Sequence, residues 1–390
     1  MKTIAEVIAL ALDHSRVKTL TCVPCFGGST VFDHYCELTG ANIPFSLHPE
    51  VAFSVAYGTS LTGKRAATLL KPHAIMKAMN SLTDAIYTGV NGGLVSVVFN
   101  DHHGRQSDTI LDIIPAISSL GLPYHILYRT RSDVYLDVLE AFEQSEKLGL
   151  PYFLFIEATE LNDTMESNLW QQSSLNFGND IPYERDIARF VLCPPFAAYQ
   201  QRSMQARVAG SDIESIPRPV VNPIPGSLPE KWQPAIERYN TLFSVFRDYR
   251  VEIVTGDVGI SSFFAFPPYD CVDITTYMGG SIPLAIGASL GKRSLTWAVT
   301  GDFAFAGAGH LGLLEARQRG IPIKVLLIRN GKSETTGGQP VNDAIMDTLL
   351  CGYQDCLIPI SDPNDVSAVD NAFKSAVSSP NLSIVIADYR

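Results

Sequence analysis

The stretch from Thr296 to Pro340 constrains this chain more than any other. An apolar, β-prone run, Thr296 to Thr300, ends in Gly301-Asp302. A helical stretch follows, and a second apolar run, Ile323 to Ile328, ends in Arg329-Asn330-Gly331-Lys332. Parallel neighbours need a crossover of about a dozen residues or more, and Asp302 and Asn330 lie 28 positions apart. The pattern therefore predicts strand, crossover helix and parallel strand. A carboxylate and a carboxamide then fall at two strand C-termini, where open α/β sheets bind their ligands. Both offer the hard oxygen donors that suit Mg²⁺ on a phosphate.

The rest of the composition narrows the class. The chain has 390 residues, enough for two or three domains, and is 46% hydrophobic and 18% charged, as a protein with a large buried core should be. A net charge of −11 with no Lys/Arg block argues against a nucleic-acid partner. No apolar run is long enough to span a membrane. Glu6, Asp13, His14 and Arg16 break up the N-terminal apolar run, which predicts an amphipathic first helix rather than a secretion signal, and hence a cytoplasmic location. Seven irregularly spaced cysteines give no disulfide framework, and Cys22 and Cys25 form a C-x-x-C with no second pair. No C-x₂-C-x₂-C-x₃-C run occurs, so these residues encode no ferredoxin-type iron–sulfur cluster.

Residues 1–164 alternate strand and helix. Strands are expected over Thr19–Pro24, Ala66–Leu70, Leu94–Phe99, Tyr124–Leu127 and Tyr152–Ile156, with helices over Ile110–Leu120 and Val134–Leu148. That alternation predicts a doubly wound α/β domain. Pro49 starts a helix of small residues, with Ala52, Val55, Ala56 and Thr59 on one face and Glu50 in its first turn. His73, His102 and His103 follow strand ends and are candidate substrate-facing residues, as are the cations Lys71 and Arg105.

Residues 165–240 are rich in Pro, Asn, Ser and Gln and are expected to form a long irregular connector with short helices. Residues 241–390 form the second α/β domain. Its first strand, Val251–Thr255, ends in Gly256-Asp257-Val258-Gly259. It then carries Tyr277-Met278-Gly279-Gly280 ahead of a helix containing Ile282, Ala285 and Ile286.

The Gly301-Asp302-Phe303…Asn330 segment resembles the diphosphate-binding motif of thiamine diphosphate (ThDP) enzymes, Gly-Asp-Gly followed by Asn. Phe303 stands at the third position, where that motif has its second glycine. The run His48-Pro49-Glu50 through Gly63-Lys64-Arg65 resembles the glutamate-bearing segment of their pyrimidine domains. The resemblance implies two parallel-sheet domains of the ThDP-binding fold, a pyrimidine domain over 1–164 and a diphosphate domain over 241–390. It implies that Asp302, Asn330 and the backbone carbonyl of Lys332 hold Mg²⁺. Gly301, Phe303 and Gly279 would line the cofactor. Met278 would wedge beneath it, and the Thr276 carbonyl would accept from its 4′-amino group. Glu50 would hydrogen-bond N1′ of the aminopyrimidine. Because the two domains of such enzymes meet between subunits, a homodimer or homotetramer is expected.

Within that group, Val51 to Ala66, Asp84 to Val98, Gly301 to Ala316 and Arg189 to Tyr199 are similar to the catalytic subunit of indolepyruvate ferredoxin oxidoreductase, although Gly307 replaces a histidine there. Val23-Pro24-Cys25 and Gly337-Gly338-Gln339-Pro340 resemble phosphonopyruvate and sulfopyruvate decarboxylases. With no cluster in the sequence, non-oxidative decarboxylation of a 2-oxo acid is expected, with carboligation to a second carbonyl compound as its variant. The alternatives are an oxidoreductase subunit served by an iron–sulfur partner, and an inactive ThDP-binding regulatory subunit.

Overall fold

The computed structural model describes residues 1–127, 133–166, 183–226, 228–292 and 294–390. They divide into two compact units. The first is Met1–Tyr183, Met204–Ile213 and Leu290–Lys292; the second is Glu184–Ser203, Glu214–Ser289 and Arg293–Arg390.

The first unit is built on five parallel strands, β1 (Thr19–Cys22), β2 (Ala66–Leu70), β3 (Leu94–Asn100), β4 (Tyr124–Ile126) and β5 (Tyr152–Glu157), in the order β1-β2-β3-β5-β4. The three central strands are buried along nearly their whole length and mostly apolar, as a sheet covered on both faces requires. Helix Ile4–His14 begins with a capping box. Thr3 Oγ1 accepts from Glu6 N at 3.2 Å, and the Glu6 carboxylate accepts from Thr3 N at 2.6 Å. It packs beside helices Gly28–Thr39 and Val134–Leu148 over one face of the sheet.

Helix Pro49–Leu61 is tied to the sheet by hydroxyls from both sides. Thr59 bonds Thr19 at 2.9 Å and Thr21 bonds the Ala52 carbonyl at 3.1 Å. Every residue from Val51 to Leu61 is buried, so the single apolar face expected for this helix is an understatement. Its Ser and Thr side chains are tolerated inside because they find partners, such as Ser54 with Ser81 at 2.9 Å. The helix expected over Ile110–Leu120 is shorter, Ile114–Ser119, because Pro115 sits in its first turn and Asp112 receives the Ile114 N–H at 2.9 Å.

The second unit is built on β6 (Val254–Asp257), β7 (Ile274–Thr276), β8 (Trp297–Gly301), β9 (Lys324–Arg329), β10 (Leu357–Pro359) and β11 (Ser383–Asp388), all parallel, in the order β10-β11-β9-β8-β6-β7. From β6 the chain first winds outward to β7, then returns to the other side of β6 for β8. Strand order reverses there, so the topological switch point lies between β6 and β8. Gly301 pairs with Ile328, which puts Asp302 and Asn330 one step beyond adjoining strand ends.

Much of the stretch expected as connector is built into this unit. Helix Pro194–Val208 is longer than the short helices expected there; residues 167–182 lie outside the described residues. Helix Asn240–Phe246, which follows helix Gln233–Arg238, brings aromatic side chains onto the sheet. Phe243 stacks on Phe264 with ring centroids 3.7 Å apart, and Phe246 meets Trp297 edge-on at 5.1 Å. Each such buried ring contributes roughly 1.5–3 kcal/mol relative to exposure. Among the described residues, no helix is long and apolar enough to cross a membrane.

Candidate functional site

The cleft at the switch point of the second unit is lined by Asp257–Ser261, Met278, Gly301–Ala304, Asn330 and Lys332–Thr335. It encloses about 520 Å³ of space, its open mouth included.

Asp302 opens a helical run that continues through a π turn, Phe305–Gly309, into helix His310–Arg319. The uninterrupted crossover helix expected here is thus widened by one turn, where Ala306-Gly307-Ala308-Gly309 offers little side-chain packing to hold tighter geometry. Asp302 is buried, with Oδ1 accepting from Phe303 N at 2.8 Å and Oδ2 from Gly331 N at 2.7 Å. Burial pushes its carboxyl above the usual range, against these backbone donors.

Asn330 is held by its amide nitrogen. Nδ2 donates to Glu334 Oε2 at 2.7 Å and to the Tyr239 hydroxyl at 2.9 Å, while Oδ1 accepts from Lys332 N at 3.2 Å. Tyr239 is set by edge-on contacts with Phe264 and Tyr389, and its hydroxyl donates to Glu334 Oε2 at 2.8 Å. Burial works against the Glu334 charge, but bonds from Tyr239 and Lys332 outweigh it and leave the carboxyl below the usual range.

Asp257, at the end of β6, is fully buried. Its carboxylate accepts from Ser281 N at 2.9 Å and from the Thr300 hydroxyl at 2.5 Å. Burial raises its pKa to about 6. It thereby ties helix Ser281–Lys292 to the strand that delivers Asp302.

Met278 is 43% exposed on the cleft wall, on a turn made by Gly279 at φ +92°. A Cβ on Gly279 would lie 2.6 Å from Gly309 N, so only glycine lets this turn meet the helical run. A Cβ on Gly301 would meet nothing, which leaves its face of the cleft open. Phe303 is 37% exposed and its side chain lines the cleft, although its N–H still serves Asp302. The Thr276 carbonyl accepts from Val258 N at 2.8 Å, so the sheet edge uses one of its lone pairs.

The donor set fits a divalent cation carrying a diphosphate. One buried carboxylate, one oriented carboxamide oxygen and the Lys332 backbone are hard oxygen donors. The start of the helical run at Asp302 favours anionic oxygens.

The first unit holds the other candidates at the C-terminal edge of its sheet. Glu50 is half-buried, and burial and Asp84 push its carboxyl above the usual range despite a bond to Asn80. His73 Nε2 contacts the Thr109 hydroxyl at 2.6 Å. His102 Nδ1 pairs with Glu157, whose other oxygen accepts from His102 N at 3.3 Å. His103, Lys71 and Arg105 are exposed.

Sequence reasoning passed over Asp257, Glu334, Tyr239 and Glu157 as functional groups. Glu334 could have been found as an acid four residues after Asn330. Tyr239 and Glu157 carry no local signal, since their partners are distant in sequence.

Residues 257–376 match the family model of the thiamine pyrophosphate enzyme, C-terminal TPP binding domain. The indolepyruvate oxidoreductase subunit IorA of Pyrococcus abyssi is 34% identical over 111 residues, 28% of this chain and 17% of the relative. That of Archaeoglobus fulgidus is 29% identical over 157 residues, 38% of this chain and 25% of the relative. The matched stretches thus span a quarter or less of these relatives' lengths.

In fold, the chain is similar to benzoylformate decarboxylase from Polynucleobacter necessarius. The TM-score is 0.66 at 12% identity, covering 100% of this chain and 98% of that one. It is also similar to the thiamine diphosphate-dependent 4-hydroxybenzoylformate decarboxylase of Rhodococcus jostii RHA1. There the TM-score is 0.65 at 14% identity, with 99% of each chain covered. The two-domain α/β fold is that of ThDP-dependent enzymes.

Proposed function

We propose that the protein is a ThDP- and Mg²⁺-dependent enzyme that removes CO₂ from a 2-oxo acid without net oxidation, with carboligation of the product to a second carbonyl compound as a variant. The observation that carries this is the Asp302–Asn330 oxygen pair at the switch-point cleft, inside the stretch that matches the TPP binding domain. In this reading residues 1–164 bind the pyrimidine, 165–240 connect, and 241–390 bind the diphosphate, in a homodimer or homotetramer.

The Asp302 carboxylate, Asn330 Oδ1 and the Lys332 carbonyl would hold the cation. Gly301 leaves room for phosphate oxygens, and Met278 would press on the cofactor from the cleft wall. Bound ThDP supplies a nucleophilic carbon and an electron sink, which amino-acid side chains lack. Glu50 would hold a proton at N1′ of the aminopyrimidine, a role suited to a carboxyl raised by burial. The Glu157 carboxylate faces His102 Nδ1, which favours the Nδ1–H tautomer and keeps Nε2 for proton transfer with substrate. His73 and His103 are further proton-transfer candidates, and Lys71 or Arg105 would meet the substrate carboxylate.

A second reading has its own support. The 34% identity to IorA over 111 residues favours a catalytic subunit of an indolepyruvate-type oxidoreductase that works with a separate iron–sulfur protein. One experiment separates the readings. The purified chain is given ThDP, Mg²⁺ and a panel of 2-oxo acids, and CO₂ release is followed with and without an electron-accepting dye. Release without dye is expected. Release only with dye would favour the oxidoreductase subunit, and ThDP binding with no release would favour a regulatory subunit.

A further inference from the structure

Asn330 offers a cation only one useful atom. Its carboxamide has an oxygen that can ligate and a nitrogen that cannot, and the two ends are nearly the same shape. Something must decide which end faces the cation.

The neighbours of Asn330 make that decision. Glu334 Oε2 lies 2.7 Å from Nδ2, and an ionised carboxylate is acceptor-only. The other Glu334 oxygen is held by Lys332 Nζ at 3.1 Å. The Tyr239 hydroxyl spends its one proton on Glu334 Oε2 and so presents a lone pair to Nδ2 at 2.9 Å. Nδ2 therefore faces two acceptors and no competing donor. At the opposite end, Lys332 N–H donates to Oδ1 at 3.2 Å. A flipped amide would set oxygen against carboxylate and N–H against N–H, losing all three bonds.

We infer that Glu334, braced by Tyr239, is the positioning residue that turns the Asn330 oxygen toward the cation. The inference rests on the ThDP–Mg²⁺ reading above. Partners of this kind, one step out from the ligands, typically govern about 10–100-fold of metal affinity.

The test exploits the asymmetry of the amide. Mg²⁺ is titrated calorimetrically into the full chain with ThDP present, so the readout is affinity and needs no turnover. Glu334→Gln, able to donate as well as accept, lets the amide flip and is expected to weaken Mg²⁺ about tenfold or more. A carboxylate at position 330 has two equivalent oxygens and needs no orienting. In the double variant Asn330→Asp/Glu334→Gln, the carboxamide introduced at position 334 donates to one oxygen of the carboxylate introduced at position 330. That variant is therefore expected to recover affinity to within about threefold of native. Asn330→Asp alone sets two carboxylates face to face and is expected to bind more weakly than the double variant.

A merely structural role for Glu334 predicts no such rescue. An unchanged Glu334→Gln, or a double variant as weak as the singles, would overturn the inference. Should Glu334→Gln not fold, Asn330→Asp against the double variant decides alone: equal affinities overturn it. A native chain that binds Mg²⁺ no better with ThDP than without would overturn the cofactor reading and this inference together.

Discussion

Asp302 and Gly331 are joined across two strand ends: Asp302 Oδ2 accepts from Gly331 N at 2.7 Å. The bond links the two halves of the motif directly, and it shapes the backbone on which Asn330 and Lys332 sit. The buried carboxylate is thus both a candidate ligand and the clamp that places the other ligands.

Asp302→Ala removes the only side-chain charge in the candidate ligand set and leaves Phe303 N and Gly331 N without their acceptor. We expect ThDP binding in the presence of Mg²⁺ to fall by about 100-fold or more, since bonds to charged groups are worth roughly 1.5–3 kcal/mol each. Equilibrium dialysis measures this, and unchanged binding would contradict the Mg²⁺ assignment.

Asp257→Asn should change the pH profile of stability. The native carboxyl has its pKa raised from 3.8 to about 6. The folded state therefore binds this proton more tightly than the unfolded state. The associated stability is fully present below about pH 4 and is lost as pH rises through 6. The native chain should lose up to about 3 kcal/mol relative to Asp257→Asn between pH 4 and 7. Urea unfolding at pH 4, 5.5 and 7 checks it, and parallel profiles would refute it.

Glu50→Gln keeps shape and removes the titrating proton site. Activity should drop by about 100-fold or more, while circular dichroism and ThDP affinity change little. A variant as active as the native chain would end the assignment of Glu50.

Gly279→Ala places a Cβ 2.6 Å from Gly309 N and 2.9 Å from the Ala304 carbonyl, at φ +92°. Strain of this kind costs about 1–3 kcal/mol, and backbone atoms cannot move aside cheaply. A lowered unfolding midpoint is expected, and none would mean that the turn can rearrange.

Much was legible before the structure, for identifiable reasons. Strand alternation, the 28-residue spacing and the Pro49–Glu50 helix start are local patterns set by short-range periodicity and backbone preference. Strand limits such as Ala66–Leu70 agree to the residue because the buried run itself defines the strand. The π turn at Phe305–Gly309 and the 15-residue helix Pro194–Val208 were not legible, since packing rather than propensity decides them.

By itself, the sequence determined the two α/β halves and the Asp302–Asn330 oxygen pair, because each is written within a short stretch of chain. Only the tertiary structure decided how that pair is held. Tyr239 reaches Glu334 across 95 positions and Asp257 reaches Thr300 across 43. Such bonds form because buried polar groups must find partners, and which partner each finds depends on where the sheet brings distant segments together.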